Sequence, residues 1–118
     1  MTMIKPVEPQ EWATFLNAFT QRNRGRGSRF EIFGPKGGFK EEEREATFEG
    51  ISFDAGKVNV KRSYDSGGTD RSMTDELTNV RGIAVQYDTD NSEDMLQFTD
   101  DRNAMTTLHF ASRVDGDS

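Results

Sequence analysis

Cysteine is absent from the sequence, which excludes a disulfide framework, cysteine-based zinc sites and thiol nucleophiles together. A reducing compartment is compatible with that absence. Histidine occurs once, as His109, so a conventional base near neutral pH has a single candidate. No stretch approaches the ~18 apolar residues that a membrane span needs, and the opening residues lack the apolar core of a signal peptide. The expectation is a soluble cytoplasmic protein without a membrane partner.

Apolar residues are also scarce, at 32%, against 31% charged residues. Nine phenylalanines, one tryptophan and two tyrosines are nevertheless too many for a disordered chain. A length of 118 residues suits one domain with a small, phenylalanine-rich core. The expected domain runs over 1–114, with 115–118 as a solvated tail. The formal net charge of -6 is unevenly spread. Thr20 to Lys40 carries six basic residues against Glu31 alone, whereas Ala84 to Ser118 carries eight acids against Arg102 and Arg113. If these regions meet, their charges offset one another; if they lie apart, they create a dipolar field.

The centre of the pattern is Phe48 to Tyr64. Ile51, Phe53 and Ala55 alternate with polar residues, as do Val58 and Val60, and Asp54-Ala55-Gly56-Lys57 supplies turn chemistry. This predicts a hairpin with one apolar face. Phe48 is out of parity with Ile51, and a bulge at Glu49-Gly50 restores the register. Pro9 opens a helix in which Trp12, Phe15, Leu16 and Phe19 form a one-sided stripe, stopped by Gly25 and Gly27. That stripe is the natural cover for the hairpin.

Further strands are predicted at Arg29–Phe33, Val80–Tyr87, Met95–Phe98 and Ala104–Ala111, with an edge strand possible through Met3-Ile4-Lys5. Gly34 to Glu45 and Asp65 to Glu76 read as long polar loops, with Glu41-Glu42-Glu43 solvating the first. The fold class is α+β: one N-terminal amphipathic helix on a curved, mainly antiparallel sheet of about six strands.

Trp12 with Phe15-Leu16 in the opening helix, the strand ending Ile32-Phe33-Gly34, the Glu49-Gly50-Ile51 step and the closing Thr106-Thr107-Leu108-His109-Phe110 resemble the family catalogued as domain of unknown function 5335. The resemblance spans most of the chain. It implies one helix on a small β domain and brings no catalytic or binding residues. In the last turn, Asp101-Arg102-Asn103 stands where an Asp-Gly pair would be more typical.

The strongest chemical signal is Arg22, Arg24, Arg26 and Arg29 around two glycines, since guanidinium groups bind phosphate or carboxylate bidentately. Phe30, Phe33 and Phe39 would add base stacking if exposed, although Phe30 and Phe33 point to opposite faces. The bland alternative is a solvated basic loop. Asp88 to Asp94 resembles the start of a calcium loop, but Glu93 and Thr99 replace its glycine and its bidentate glutamate, so it reads as a polar hairpin loop. Gly34-Pro35-Lys36-Gly37-Gly38 lacks the ending and helix of a phosphate loop and reads as a connector. His109 shares parity with Thr107 on the outer face, without a nucleophile motif.

The expectation is therefore a non-catalytic interaction module, without a cofactor or metal, that meets a protein partner through its long polar loops or a sheet edge. One alternative is RNA or single-stranded nucleic-acid binding through the Arg22 to Arg29 cluster. The other is an enzyme using His109, which would require a pocket and a partner acid. Self-association is also open, with Met1 to Glu8 as the swapping arm.

Overall fold

The computed structural model describes residues 3–42 and 45–111. Strand β1 (Met3–Val7) leads through a 3-10 turn (Pro9–Glu11) into helix α1 (Trp12–Asn23). The strands that follow are β2 (Gly27–Phe33), β3 (Phe39–Glu41), β4 (Ala46–Asp54), β5 (Lys57–Ser66), β6 (Thr69–Leu77), β7 (Val80–Tyr87), β8 (Glu93–Asp100) and β9 (Met105–Phe110). They form one sheet in the order β1-β7-β8-β9-β2-β4-β5-β6, with β3 paired to β2. Every pairing is antiparallel.

The short connection between β6 and β7 shows how strongly this sheet bends. These strands lie six places apart in the order, about 29 Å across a flat sheet. Only Thr78 and Asn79 join them, a link that reaches about 11 Å. The sheet must therefore turn back on itself. It does not close, because β1 and β6 remain its two ends.

The α+β class and the helical stripe agree with the sequence pattern, but the count of about six strands is corrected to nine among the described residues. The loop expected over Gly34 to Glu45 contains β3, which folds back on β2 with Gly34 N–H donating to Gly38 O at 2.7 Å. The loop expected over Asp65 to Glu76 is the outer half of a second hairpin, in which β6 pairs with β5 from Ser66↔Thr69 to Val58↔Leu77. Both strands are held by backbone bonds while most of their side chains face water. Apolar alternation, the signal that reveals half-buried strands, is therefore missing.

The central hairpin forms as its turn residues dictate. Ala55 and Gly56 both have positive φ (53° and 77°), the conformation of a tight two-residue hairpin turn. Ala55 is thus an exposed turn residue and does not join the apolar face. The register shifts between Phe48 and Gly50, placing the bulge where the parity conflict puts it. Phe48, Ile51, Val58 and Val60 consequently share the core with Leu16 and Phe19 of α1 and with Leu96, Phe98 and Leu108 from the other half of the sheet. Phe19, Phe48 and Phe110 form a ring triangle with centroids 5.2–5.8 Å apart. Burial of each such ring contributes roughly 1.5–3 kcal/mol.

Helix α1 also completes β4. The β2–β4 ladder covers only Gly27↔Thr47 and Ser28↔Ala46, so β4 continues beyond it without that strand partner. Thr20 fills the gap: its hydroxyl accepts from Ile51 N–H at 2.9 Å and lies within donating distance of Ile51 O and Leu16 O, at 3.1 and 3.0 Å. Gly50 permits this approach, since a Cβ there would lie 3.3 Å from Thr20 Cγ2. Thr20→Val keeps the shape and removes the hydroxyl, leaving buried backbone groups of Ile51 unpaired. A loss of about 1.5 kcal/mol is expected in urea unfolding; an unchanged midpoint would show that water takes over the role.

Candidate functional site

The two oppositely charged regions meet at the end of α1. Arg22 donates Nε and Nη2 to the two Glu93 carboxylate oxygens at 2.8 and 2.6 Å, and Asn23 Nδ2 donates to Glu93 Oε1 at 2.8 Å. Arg26 donates to Asn23 Oδ1, to Glu93 O and to Ala111 O, at distances of 2.5–3.2 Å. The fork of hydrogen bonds to Glu93 holds the Arg22 guanidinium above its ordinary pKa, against the effect of partial burial. Arg24 is exposed and donates Nε to Glu49 O at 3.1 Å. Arg29 is half-buried on β2, opposite His109. The four arginines therefore do not converge on one guanidinium cluster. Two fasten the helix end to β8 and β9, a third lies by the β4 bulge, and the fourth lies on the outer face of β2.

Glu93 takes part in this network as a buried residue at the start of β8, and the Asp88–Ser92 segment before it is a turn with Asn91 at φ 69°. Asp90 accepts from the Ser92 hydroxyl and N–H, the local bonding of a polar turn. No group of three or more His, Cys, Asp or Glu side chains able to hold a metal occurs among the described residues.

A second charge centre had no place in the sequence-based expectations. Arg62 continues the inward parity of Val58 and Val60, and its side chain is only 1% exposed. Its Nη1 and Nη2 donate to the two Glu42 oxygens at 2.8 Å each, and Nη2 also reaches Asp75 at 3.3 Å. The guanidinium lies 4.4 Å from the Phe30 ring centroid. Its Nε has no hydrogen-bond partner among the described residues. Burial pushes the Glu42 carboxyl up, but Arg62 and the Phe30 N–H outweigh it and hold the pKa below its ordinary value. Glu42 was expected to solvate a loop; instead, directly after β3, it ties the end of that strand to β5. The readable signal was an arginine at the inward position after two valines, which demands an acid from elsewhere.

His109 lies on the outer face of β9, 41% exposed, with Nε2 2.5 Å from Glu31 Oε1. The pair borders an open cleft of about 310 Å³, lined by Arg29, Glu31, Glu41, Glu45, His109, Phe110 and Ala111. A pocket and a partner acid are thus both present. Among the described residues, the lining contains no hydroxyl that His109 could activate as a nucleophile. Thr107, on the same strand, is buried against β2, where the expectation had placed it outside.

The same outer face carries Phe39, the most exposed aromatic ring among the described residues. Phe30 points inward and is buried, whereas Phe33 and Phe39 are 36% and 57% exposed and lie 5.0 Å apart. They are directly opposite on β2 and β3, and Glu31↔Glu41 is the next pair on that face. Lys36 and Lys40 belong to the same hairpin.

No family model, curated protein or solved structure matches this chain.

Proposed function

We propose that this domain is a non-catalytic interaction module that meets a protein partner at the β2–β3 hairpin. The observation carrying this reading is the ring pair Phe33 and Phe39, left partly exposed in a chain that buries most of its other phenylalanines. Paired exposed aromatics rimmed by charged residues are the composition of an interface hot spot. The hairpin is also the first of the two polar segments in which a partner was expected, now with a defined conformation. Lys36, in the turn of the same hairpin, suits the polar rim of such a contact.

Single-stranded nucleic acid is the second reading, favoured by the same rings, because bases stack on exposed aromatics. Within the arginine cluster, Arg29 is the member on that face, two residues from Glu31 and four from Phe33.

The double substitution Phe33→Ser with Phe39→Ser separates binding from stability. Both rings lie outside the core cluster, so the expected cost is about 1 kcal/mol. Tagged wild-type and variant proteins would be compared on source-cell lysate, with and without nuclease, at low and high salt. Protein retained by the wild type through both treatments and lost by the folded variant supports the module. Retained nucleic acid that vanishes with nuclease moves the assignment to the second reading.

A further inference from the structure

The backbone of β3 offers a partner more than two rings. Glu42 N–H donates to Phe30 O at 2.9 Å and Gly34 N–H to Gly38 O at 2.7 Å, while the register pairs Ile32 with Lys40. Residues 30/42, 32/40 and 34/38 are therefore the hydrogen-bonded pairs of this hairpin. Glu31↔Glu41 and Phe33↔Phe39 are the alternating pairs between them. In an antiparallel ladder, the N–H and C=O groups of such intervening pairs point away from each other. Phe39 and Glu41 consequently turn both backbone groups outward, and no strand pairs with β3 on that side among the described residues.

The two residues with outward backbone groups are also the two whose side chains build the outer surface. An extended segment laid along β3 would repeat its own side chains every second residue, about 6.8 Å apart. That spacing matches the step from Phe39 to Glu41. One place on the added strand faces the Phe33–Phe39 pair; the next faces the cleft where, among the described residues, Glu31, Glu41 and Glu45 stand against Arg29, with His109 beside Glu31. The aromatic place calls for an apolar side chain and the cleft for a cation.

We infer that β3 accepts an extended segment of a protein partner as an added strand, one that presents an apolar side chain and, two residues away, lysine or arginine. The inference rests on the interaction reading above and names the chemistry of its partner. Strand addition explains why the edge and the side chains act together: backbone bonds supply register and alternate side chains supply selectivity. The acidic cleft determines the sign of the partner's charge, since like charges brought together at an interface are strongly disfavoured.

The test uses this chain, isotope-labelled, and two synthetic peptides of alternating threonine. One carries valine and lysine at successive intervening places, the other valine and glutamate. The lysine peptide is expected to shift the amide resonances of Phe39 and Glu41 and to bind at least ~10-fold more tightly than the glutamate peptide. Glu41→Gln with Glu45→Gln is expected to shrink that preference to about 2-fold, and added salt to shrink it further. Equal binding of both peptides would overturn the charge assignment, while loss of the lysate partner from the phenylalanine variant would still leave the module reading in place. If neither peptide moves those amides, or if a single-stranded oligonucleotide alone moves them, the strand-acceptor inference is wrong. Shifts of the same amides on simple dilution, with a dimer seen in sedimentation, would overturn it in favour of a second copy.

Discussion

Glu42→Ala is expected to be the most damaging single charge removal in the molecule, at about 3–5 kcal/mol. It removes the bidentate partner of Arg62, whose guanidinium cannot reach solvent because its side chain is 1% exposed. Asp75 remains 3.3 Å away and 44% exposed, which keeps the expected loss toward the lower end of that range. The Phe30 ring still lies beside the guanidinium, but a cation–π contact of ~0.5–2 kcal/mol does not replace two charged hydrogen bonds. Replacing both partners, Arg62→Met with Glu42→Leu, is expected to cost far less than Glu42→Ala, because it leaves no buried charge and fills the space. Urea unfolding of the three proteins decides the matter. A Glu42→Ala loss below about 1 kcal/mol would mean that Arg62 escapes to water, contrary to its burial.

The same pair makes stability depend on pH in a defined direction. The folded-state pKa of Glu42 lies below its ordinary value, so the folded state favours the ionised carboxylate. Its contribution is fully present above the ordinary glutamate pKa. It is lost as pH falls from that value through the lower folded value, where the unfolded chain binds the proton first. The difference in stability between wild type and Glu42→Gln should therefore shrink across that acidic window and stay level near neutrality.

Glu93→Ala should cost somewhat less, about 2–3 kcal/mol, because Arg22 is 45% exposed and can rehydrate. Asn23 is fully buried and would lose one of its Nδ2 acceptors while keeping Phe19 O at 3.1 Å. The effect should be local as well as global. Helix α1 is joined to β8 through Glu93, so amide hydrogen exchange should accelerate in residues 21–26 relative to the hairpin β4–β5. Uniform acceleration across the molecule would show that Glu93 supports the core as a whole and not the helix end.

Much of the fold was legible because its signals are local. A turn with Ala55 and Gly56, a glycine at a parity conflict, and apolar residues spaced along one helical face each act within a few residues of chain. The nine-strand count was not, since β3 and β6 are held by backbone bonds with both faces largely wet. Side-chain pattern reports burial, and these strands bury little. The arginines show the same limit: Arg22 and Arg26 look like a free basic cluster until Glu93, some seventy residues away in sequence, folds against them.

Composition and periodicity alone thus determined a small α+β domain, its helix, its central hairpin and the absence of thiol chemistry. Tertiary structure decided which charges face one another. It turned Glu42 inward to Arg62, set Glu31 beside His109, and left Phe33 and Phe39 outside while burying Phe30. The physical reason is that a strand's side chains alternate by local geometry, whereas the partner that a polar group finds depends on which distant strand the sheet brings beside it.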